Sequence, residues 1–445
     1  MSLHPKPRDG DKVRTVDPVE LSSRVIDTGV VHEPTNRVSN RLTEVADDIA
    51  VVESFSHMVV FRTDAGLVSF DASGAGSGQA VMEALRGWRT DPVHSLIYTH
   101  GHMDHVGGSG AVMADAEARS HRAPTVVGHD NLPPRLERYQ KTNAWNHIIN
   151  RRQFGGISPR HGMEVASHER DFVPADAAWP DVTYQESLTL HVGGLEVQLQ
   201  HAKGETDDHT WAWLPEHKAL CTGDLVTWVF PNAGNPQKVQ RYPGLWAEAL
   251  RTMMTYDAQL LLPAHGLPIR GHDRIQRVLG DLAGVLEDLV RDTVAMMNQG
   301  ARLDEIIHTV RVDPDKLDLP WLVAAYDEPE FVVRNIWRMY GGWWDANPSH
   351  LKPAPEAALA AELSELAGGP AILVARAQEL AAAGDFRLAS HLMDYAGLTA
   401  ADDAGVHQAR AEFYLERRRA EASLMSKGIF AAAARESQAV AEPES

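Results

Sequence analysis

One short run constrains this chain more than any other. Thr99-His100-Gly101-His102-Met103-Asp104-His105 places three imidazoles and a carboxylate within six residues. It follows Ser95-Leu96-Ile97-Tyr98, which reads as a short buried strand, and precedes Gly107-Gly108 and Ala111-Val112-Met113, which read as the start of a helix. The four side chains therefore fall on a strand-to-helix loop. His100 and His102, two residues apart, point the same way to grip one ion, while Asp104 and His105 turn toward a second. A lone histidine is ordinarily a packed or solvated group, but His-x-His-x-Asp-His has little packing rationale and reads as a metal site.

Bulk properties narrow the field. A chain of 445 residues can bury a sizeable core and is expected to hold two or three domains. Its formal net charge of -19 argues against a nucleic-acid partner, because a phosphate backbone would be repelled. A single cysteine, Cys221, excludes an internal disulfide framework and fits a reducing compartment; it is expected as a core thiol. The N-terminus has no apolar stretch behind its charges, so no secretory signal is expected, and no apolar run approaches a membrane span. A cytoplasmic protein with no membrane partner is the expectation.

Residues 1–40 read as an irregular arm. From there to about residue 272, short strands alternate with helices in an α/β pattern. Ile49–Val52, Met58–Phe61 and Leu67–Phe70 are expected strands, and Ala80–Trp88 and Ala111–Ala118 expected helices. Leu195–His201 alternates apolar and polar residues as a half-buried strand does, and a hairpin of Trp211–Leu214 with Ala219–Cys221 follows it. The stretch 133–170 reads as an insertion over the site. Beyond residue 272 the period becomes helical, with Leu282, Leu286, Leu289, Thr293 and Met296 forming one stripe, and residues 273–440 are expected to be an all-α domain with tetratricopeptide-like spacing. The polar residues from about Glu436 are expected to fray.

Each strand end delivers a further candidate ligand. His100, His102 and Glu205 would hold one ion, Asp104, His105 and His265 the second, with Asp224 bridging. This mixture of imidazole nitrogen and carboxylate oxygen suits two Zn²⁺ ions, and Fe or Mn fits the same cage. Taken singly, Asp224 is a turn residue and His265 a loop histidine. Both, however, close a strand at positions where a layered sheet would present them to one rim.

These residues resemble the metallo-β-lactamase superfamily over about residues 41–270, which implies an αβ/βα sandwich with a dinuclear site at one edge. Gly204-Glu205-Thr206 stands where most of that superfamily has Gly-His-Thr, and a glutamate in that slot is similar to the zinc-dependent alkyl sulfatase branch. The strings Tyr340-Gly341-Gly342-Trp343-Trp344-Asp345-Ala346-Asn347-Pro348-Ser349-His350-Leu351 and Gly384-Asp385-Phe386-Arg387-Leu388-Ala389 resemble the dimerisation domain of that branch. Two departures stand out. Gly223-Asp224 replaces the branch's Ala-Glu at the bridging position, and Gly234-Asn235-Pro236-Gln237-Lys238 replaces its Leu-Arg-Gly-Ala-Lys, leaving no arginine for the sulfate. The resemblance implies that Asp71 braces the ligand loops without touching metal.

Two divalent ions lower the pKa of a shared water and polarise an ester oxygen, so hydrolysis is the expected reaction. Lys238, Arg241, Asn232 and Asn235 are the candidates for steadying the ester's oxyanion, with the pair Arg151-Arg152 as a further one or as an exposed helix face. Asp104 and His209 are assigned to catalysis, His209 as a proton donor or as a support behind the ligands, and His201 as a support. The leading expectation is sulfate ester hydrolysis on a small-molecule substrate. A carboxylic ester, lactone or thioester hydrolase of the same fold, or a non-catalytic protein stabilised by metal, are the alternatives. The stripe from Leu282 to Met296 and the resemblance at residues 331–351 predict a homodimer through the helical half, with Trp337, Trp343 and Trp344 at its interface.

Overall fold

The computed structural model describes residues 16–154 and 171–442. It opens on helix α1 (Pro18–Thr28), where the Asp17 carboxylate accepts from the Val19 and Glu20 N–H groups at 2.8 and 3.0 Å and Pro18 occupies the first turn. The residues from 18 to 28 are thus not an irregular arm. Their apolar face, Leu21, Val25 and Ile26, joins the largest core of the molecule. Within eleven residues periodicity has only Val19, Leu21, Val25 and Ile26 to work with, so the capped start was the clearer signal.

Among the described residues seven strands pair in chain order in the first sheet: β1 (Arg41–Ala46), β2 (Ile49–Glu53), β3 (Met58–Thr63), β4 (Gly66–Phe70), β5 (Val93–Ile97), β6 (Thr125–His129) and β7 (Val182–Tyr184). The first four run antiparallel through short turns, and β4 to β7 run parallel. Parallel neighbours need crossovers, which α2 (Gly78–Trp88), α3 (Met103–Val106), α4 (Ser109–Ala118), α5 (Leu132–Lys141) and α6 (Asn143–Phe154) supply. Helices α5 and α6 make up the described part of the expected insertion; its residues 155–170 lie outside the described residues.

The second sheet is built from β8 (Ser187–Val192), β9 (Leu195–Ala202), β10 (His209–Leu214), β11 (Ala219–Gly223), β12 (Leu260–Pro263) and β13 (Ile269–Arg270), with α7 (Pro243–Met253) crossing between β11 and β12. Strand alternation sorts its side chains. Val197, Leu199, Ala212 and Leu214 turn inward to meet Val51, Phe61, Phe70 and Ile97 of the first sheet, while Trp211 and Trp213 turn outward beneath helices. Cys221 is a buried free thiol in this inter-sheet layer. Val81, Leu85, Val112 and Leu136 cover the first sheet's outer face, completing an αβ/βα sandwich.

Among the described residues ten helices follow: α8 (His272–Asn298), α9 (Leu303–Thr309), α10 (Pro314–Leu317), α11 (Pro329–Gly341), α12 (Pro348–Leu351), α13 (Glu356–Ala367), α14 (Pro370–Ala382), α15 (Phe386–Thr399), α16 (Ala404–Ala420) and α17 (Leu424–Ala441). Leu282, Leu286 and Leu289 of α8 are buried against Trp246, Leu250 and Ile336 in the core shared with α1 and α7. The stripe expected to face a second copy is therefore spent inside the chain. A separate core of Ala377, Met393, Phe413, Tyr414 and Ala434 joins α14 to α17. Helix α17 runs on to Ala441, past the point where fraying was expected, and Ser437 there is buried with its hydroxyl accepting from Arg410 at 2.7 Å. Trp343 is 71% exposed and Trp337 is buried, its Nε1 donating to the Trp344 carbonyl at 3.0 Å. Among the described residues no single helix is long and apolar enough to cross a membrane.

Candidate metal centre and its cavity

Strand register explains why distant residues meet. In the parallel pair β4–β5, Phe70 is opposite Ile97, so Asp71 and Thr99 emerge at the same edge. In the parallel pair β11–β12, Gly223 is opposite Pro263, which delivers Asp224 and His265 side by side. Gly223 holds φ at +51°, and a Cβ there would meet the His209 ring at 2.7 Å and Thr99 at 2.8 Å. Only glycine admits this approach of the two sheets.

The seven predicted ligands form two groups. His100, His102, Glu205 and Asp224 present donor atoms to one point, and Asp104, His105 and His265 to another. Asp224 also reaches the second group: its Oδ2 is 3.9 Å from His100 Nε2, while its Oδ1 is 3.4 Å from both His105 Nε2 and His265 Nε2. Asp104 Oδ2 stands 3.6 Å from His105 Nε2 and 3.4 Å from His265 Nε2, and His102 Nδ1 is 3.8 Å from Glu205 Oε1. Two donors each about 2.0–2.1 Å from a tetrahedral ion are themselves roughly 3.3–3.4 Å apart, which is the scale of these separations. His105 Nε2 and Asp224 Oδ1 are buried with no hydrogen-bond partner, an arrangement that costs free energy unless a cation lies between them. The donor set fits divalent metal.

Buried groups hold the donors. Asp71 accepts from the Thr99 N–H and hydroxyl, both at 2.7 Å, and its Oδ2 is 2.8 Å from His105 Nδ1. That contact fixes the His105 tautomer so that Nε2 faces the cluster. Asp208 accepts from the Gly101 N–H at 2.9 Å and pairs with Arg135 Nε at 3.0 Å, pinning the loop between the first two histidines. His209 is completely buried, stacks on His100 at 5.0 Å, and accepts at Nε2 from the Asp224 N–H at 3.1 Å. His201 contacts no ligand; its Nε2 is 3.0 Å from the Asp207 carbonyl and its ring stacks on His129 at 3.7 Å.

Electrostatics follow from this crowding. Burial, together with neighbouring imidazoles, holds His100 well below the usual histidine range, and burial with the Arg241 charge does the same to His102. Burial also pushes His105 down, but the Asp224, Asp104 and Asp71 carboxylates outweigh it and raise the ring well above that range. Burial pushes Glu205 up to about 8 against the pull of Arg241.

A cavity of about 1630 Å³ opens over the cluster. His102, Asp104, Glu205, Asp224 and His265 line it, and so do Asn232, Asn235, Lys238 and Arg241. Neither Arg151 nor Arg152 does; Arg152 donates to Gln237 Oε1 at 3.4 Å and props the loop that carries Lys238. His209, Asp71 and His201 lie behind the wall, so His209 is placed away from where a proton donor would meet a substrate. Arg241 donates to the Glu205 carbonyl and stands 3.3 Å from Glu205 Oε1, and the Asn232 amide donates to that same carboxylate oxygen. Lys238 Nζ donates to Asn150 Oδ1 at 2.7 Å, and burial, with the nearby Arg241 charge, lowers its pKa to about 7.

Several residues escaped the sequence reading. Tyr326, which lines the cavity and whose hydroxyl accepts from Gln153 Nε2 at 2.9 Å, arrives from the segment before α11, more than a hundred residues beyond Glu205. Asp327 accepts from the Gly234 and Asn235 N–H groups at 2.6 and 3.1 Å and so shapes the loop that carries those asparagines. Asp208 was within reach, three residues past Glu205 on the same turn.

Comparison with known proteins agrees with this architecture. The sequence profile of the metallo-beta-lactamase superfamily matches residues 51–265, and that of alkyl sulfatase dimerisation matches residues 302–439. The chain is a metallo-β-lactamase-fold protein with a C-terminal all-helical domain. Within that superfamily its sequence is similar to alkylsulfatases, and its helical half matches their dimerisation profile. A linear primary-alkylsulfatase of Pseudomonas sp. (strain ATCC 19151) is 25% identical over 352 residues, covering 74% of this chain and 64% of the relative. An alkyl/aryl-sulfatase of Saccharomyces cerevisiae is 26% identical over 334 residues, covering 72% and 50%. The chain therefore spans between half and two thirds of the length of these relatives. The stereoselective inverting sec-alkylsulfatase Pisa1 from Pseudomonas sp. shares the fold with a TM-score of 0.77 at 22% identity, over 90% of this chain and 66% of that one.

Proposed function

We propose that this chain is a metal-dependent hydrolase of sulfate esters, with His100, His102 and Glu205 holding one Zn²⁺, Asp104, His105 and His265 a second, and Asp224 shared. The observation that carries this reading is the position of Asp224, whose two oxygens face the two donor groups at 3.4–3.9 Å. Divalent cations held there supply a lowered water pKa and charge neutralisation. The remaining work falls to the chain. Lys238, Asn235 and the unpaired Asn232 Oδ1 line the cavity beside the donors, where Lys238 and the Asn235 amide can meet ester oxygens and the Asn232 oxygen can accept a hydrogen bond. Arg241 spends its guanidinium on Glu205, so its part is to orient a ligand. His209 is a positioning group: it receives the Asp224 N–H and fixes that carboxylate's direction.

The test is elemental analysis of the purified protein together with a substrate panel of primary and secondary alkyl sulfates, lactones and carboxylic esters. Two equivalents of zinc per chain and turnover confined to sulfates are the expected results. Turnover of carbonyl substrates alone would remove the sulfatase reading. We further propose a homodimer through residues 302–439, supported by the profile match there and by exposed Leu359, Leu363, Leu366 and Ile372 on α13 and α14. A monomer mass in light scattering at micromolar concentration would overturn it.

A further inference from the structure

The wall of the cavity farthest along the sequence comes from the helical half. Leu424, Lys427, Gly428 and Ala431 of α17 line it with the spacing of one helical face, and Arg418 of α16 joins them. The helix lies close because Gly428 packs on α6, where a Cβ would overlap the Gln153 carbonyl. Ser423 secures its start by donating to the Tyr326 carbonyl at 2.7 Å, and the Leu424 N–H donates to the Ala325 carbonyl at 2.8 Å.

Two of these side chains are cations. Lys427 Nζ donates to the Ala422 carbonyl at 3.1 Å, and among the described residues neither it nor Arg418 pairs with a carboxylate. In a chain of net charge -19, basic groups facing a cavity with no carboxylate partner among the described residues call for an anion from outside. Of the acidic groups lining the same cavity, Asp104, Glu205 and Asp224 belong to the metal cluster, and two others stand elsewhere. Asp176 packs against Gly110 of α4. Asp171 precedes Phe172, whose N–H donates to Asn143 at the start of α6. Gly428 meets that helix at Gln153, about 15 Å further along at ~1.5 Å per residue.

We infer that Arg418 and Lys427 form a second anion subsite, and that the substrate carries a carboxylate on the end of its carbon chain remote from the ester. This rests on the sulfate ester reading above. Both cations are half-buried, and a carboxylate gains charge-assisted hydrogen bonds from each that a plain hydrocarbon tail cannot make.

Calorimetric titration of the metal-loaded, full-length protein with octanesulfonate and with its ω-carboxylated counterpart tests the idea, since neither probe can be hydrolysed. The carboxylated probe is expected to bind roughly tenfold or more tightly than the plain one, as hydrogen bonds to charged groups contribute. In the Arg418→Gln, Lys427→Gln double variant, shown by thermal unfolding to be folded, the two probes are expected to bind equally. Equal affinity in the unaltered protein, or a preference that survives in the double variant, overturns the subsite and leaves the sulfate ester reading intact. Failure of both probes to bind overturns that reading as well.

Discussion

Asp71 holds His105 from behind: its Oδ2 lies 2.8 Å from the ring Nδ1, which turns the ring Nε2 toward Asp224 Oδ1 at 3.4 Å. The same carboxylate ties Thr99, one residue before His100, so a single buried side chain orients the loop that carries four donors. Asp71→Ala is expected to weaken metal binding by about 10–100-fold, as loss of such supporting carboxylates does. Competition with a graded chelator reads the change directly, and unaltered metal retention would refute the role.

Asp224→Ala removes the carboxylate common to both donor groups. The purified variant is expected to hold fewer than two metal equivalents per chain by elemental analysis, and to lose the gain in thermal stability that metal confers on the parent. Full retention of both ions would show that Asp224 is not shared.

Lys238 titrates at about 7 because burial, aided by the Arg241 charge, disfavours its ammonium form. The cation is present below that pH and is lost as pH rises through it. Binding of an alkyl sulfonate is therefore expected to weaken by several-fold between about pH 6 and pH 8, and Lys238→Arg, which stays charged, should flatten the profile. An identical pH profile in the variant would exclude Lys238 from anion binding.

Asp115 bridges Arg86 Nη2 at 2.6 Å and Arg119 Nε at 2.9 Å on the outer face of the first sheet. Burial raises its pKa, but hydrogen bonds from both guanidinium groups outweigh that and hold it below 3.8. Its stabilisation is thus complete above the unfolded carboxyl pKa and is lost as pH falls through the depressed folded value. Asp115→Asn is expected to cost about 2 kcal/mol at neutral pH in denaturant titration, with the difference from the parent shrinking below about pH 4. A difference that grows in acid would contradict this pairing.

Much of the sandwich was legible because its strands are short, apolar or alternating, and bounded by turn residues. Leu195 to Leu199 and the Trp211–Leu214 hairpin declare their faces in period two. The ligands were legible because all seven lie within eight residues of the ends of β5, β9, β11 and β12, four of them packed into one short run. Helix α1 was missed because one turn and a half of apolar face is weaker than the charged residues around it. The α8 stripe was read correctly as helical and wrongly as an outer surface, since periodicity reports an apolar face and says nothing about which partner covers it. Tyr326 and Asp327 reach the cavity only through packing of the helical half, which no local pattern encodes.

Gly428→Ala places a methyl group against the Gln153 carbonyl, where backbone must yield on one side or the other. A loss of about 1–3 kcal/mol is expected in chemical denaturation, together with a widened preference for bulky esters as α17 is displaced. Unchanged stability and specificity would show that the helix seats elsewhere.

The core that unites Leu21, Trp246, Leu282 and Ile336 draws on segments more than three hundred residues apart in sequence. A protein trimmed at the end of its sandwich would lose α8 and α11 and expose Leu21, Trp246 and Leu250 on the faces of α1 and α7 that those helices now cover. Excising the helical half to obtain a minimal catalyst is thus expected to yield an aggregating fragment, and engineering of this chain has to treat both halves as one inheritance.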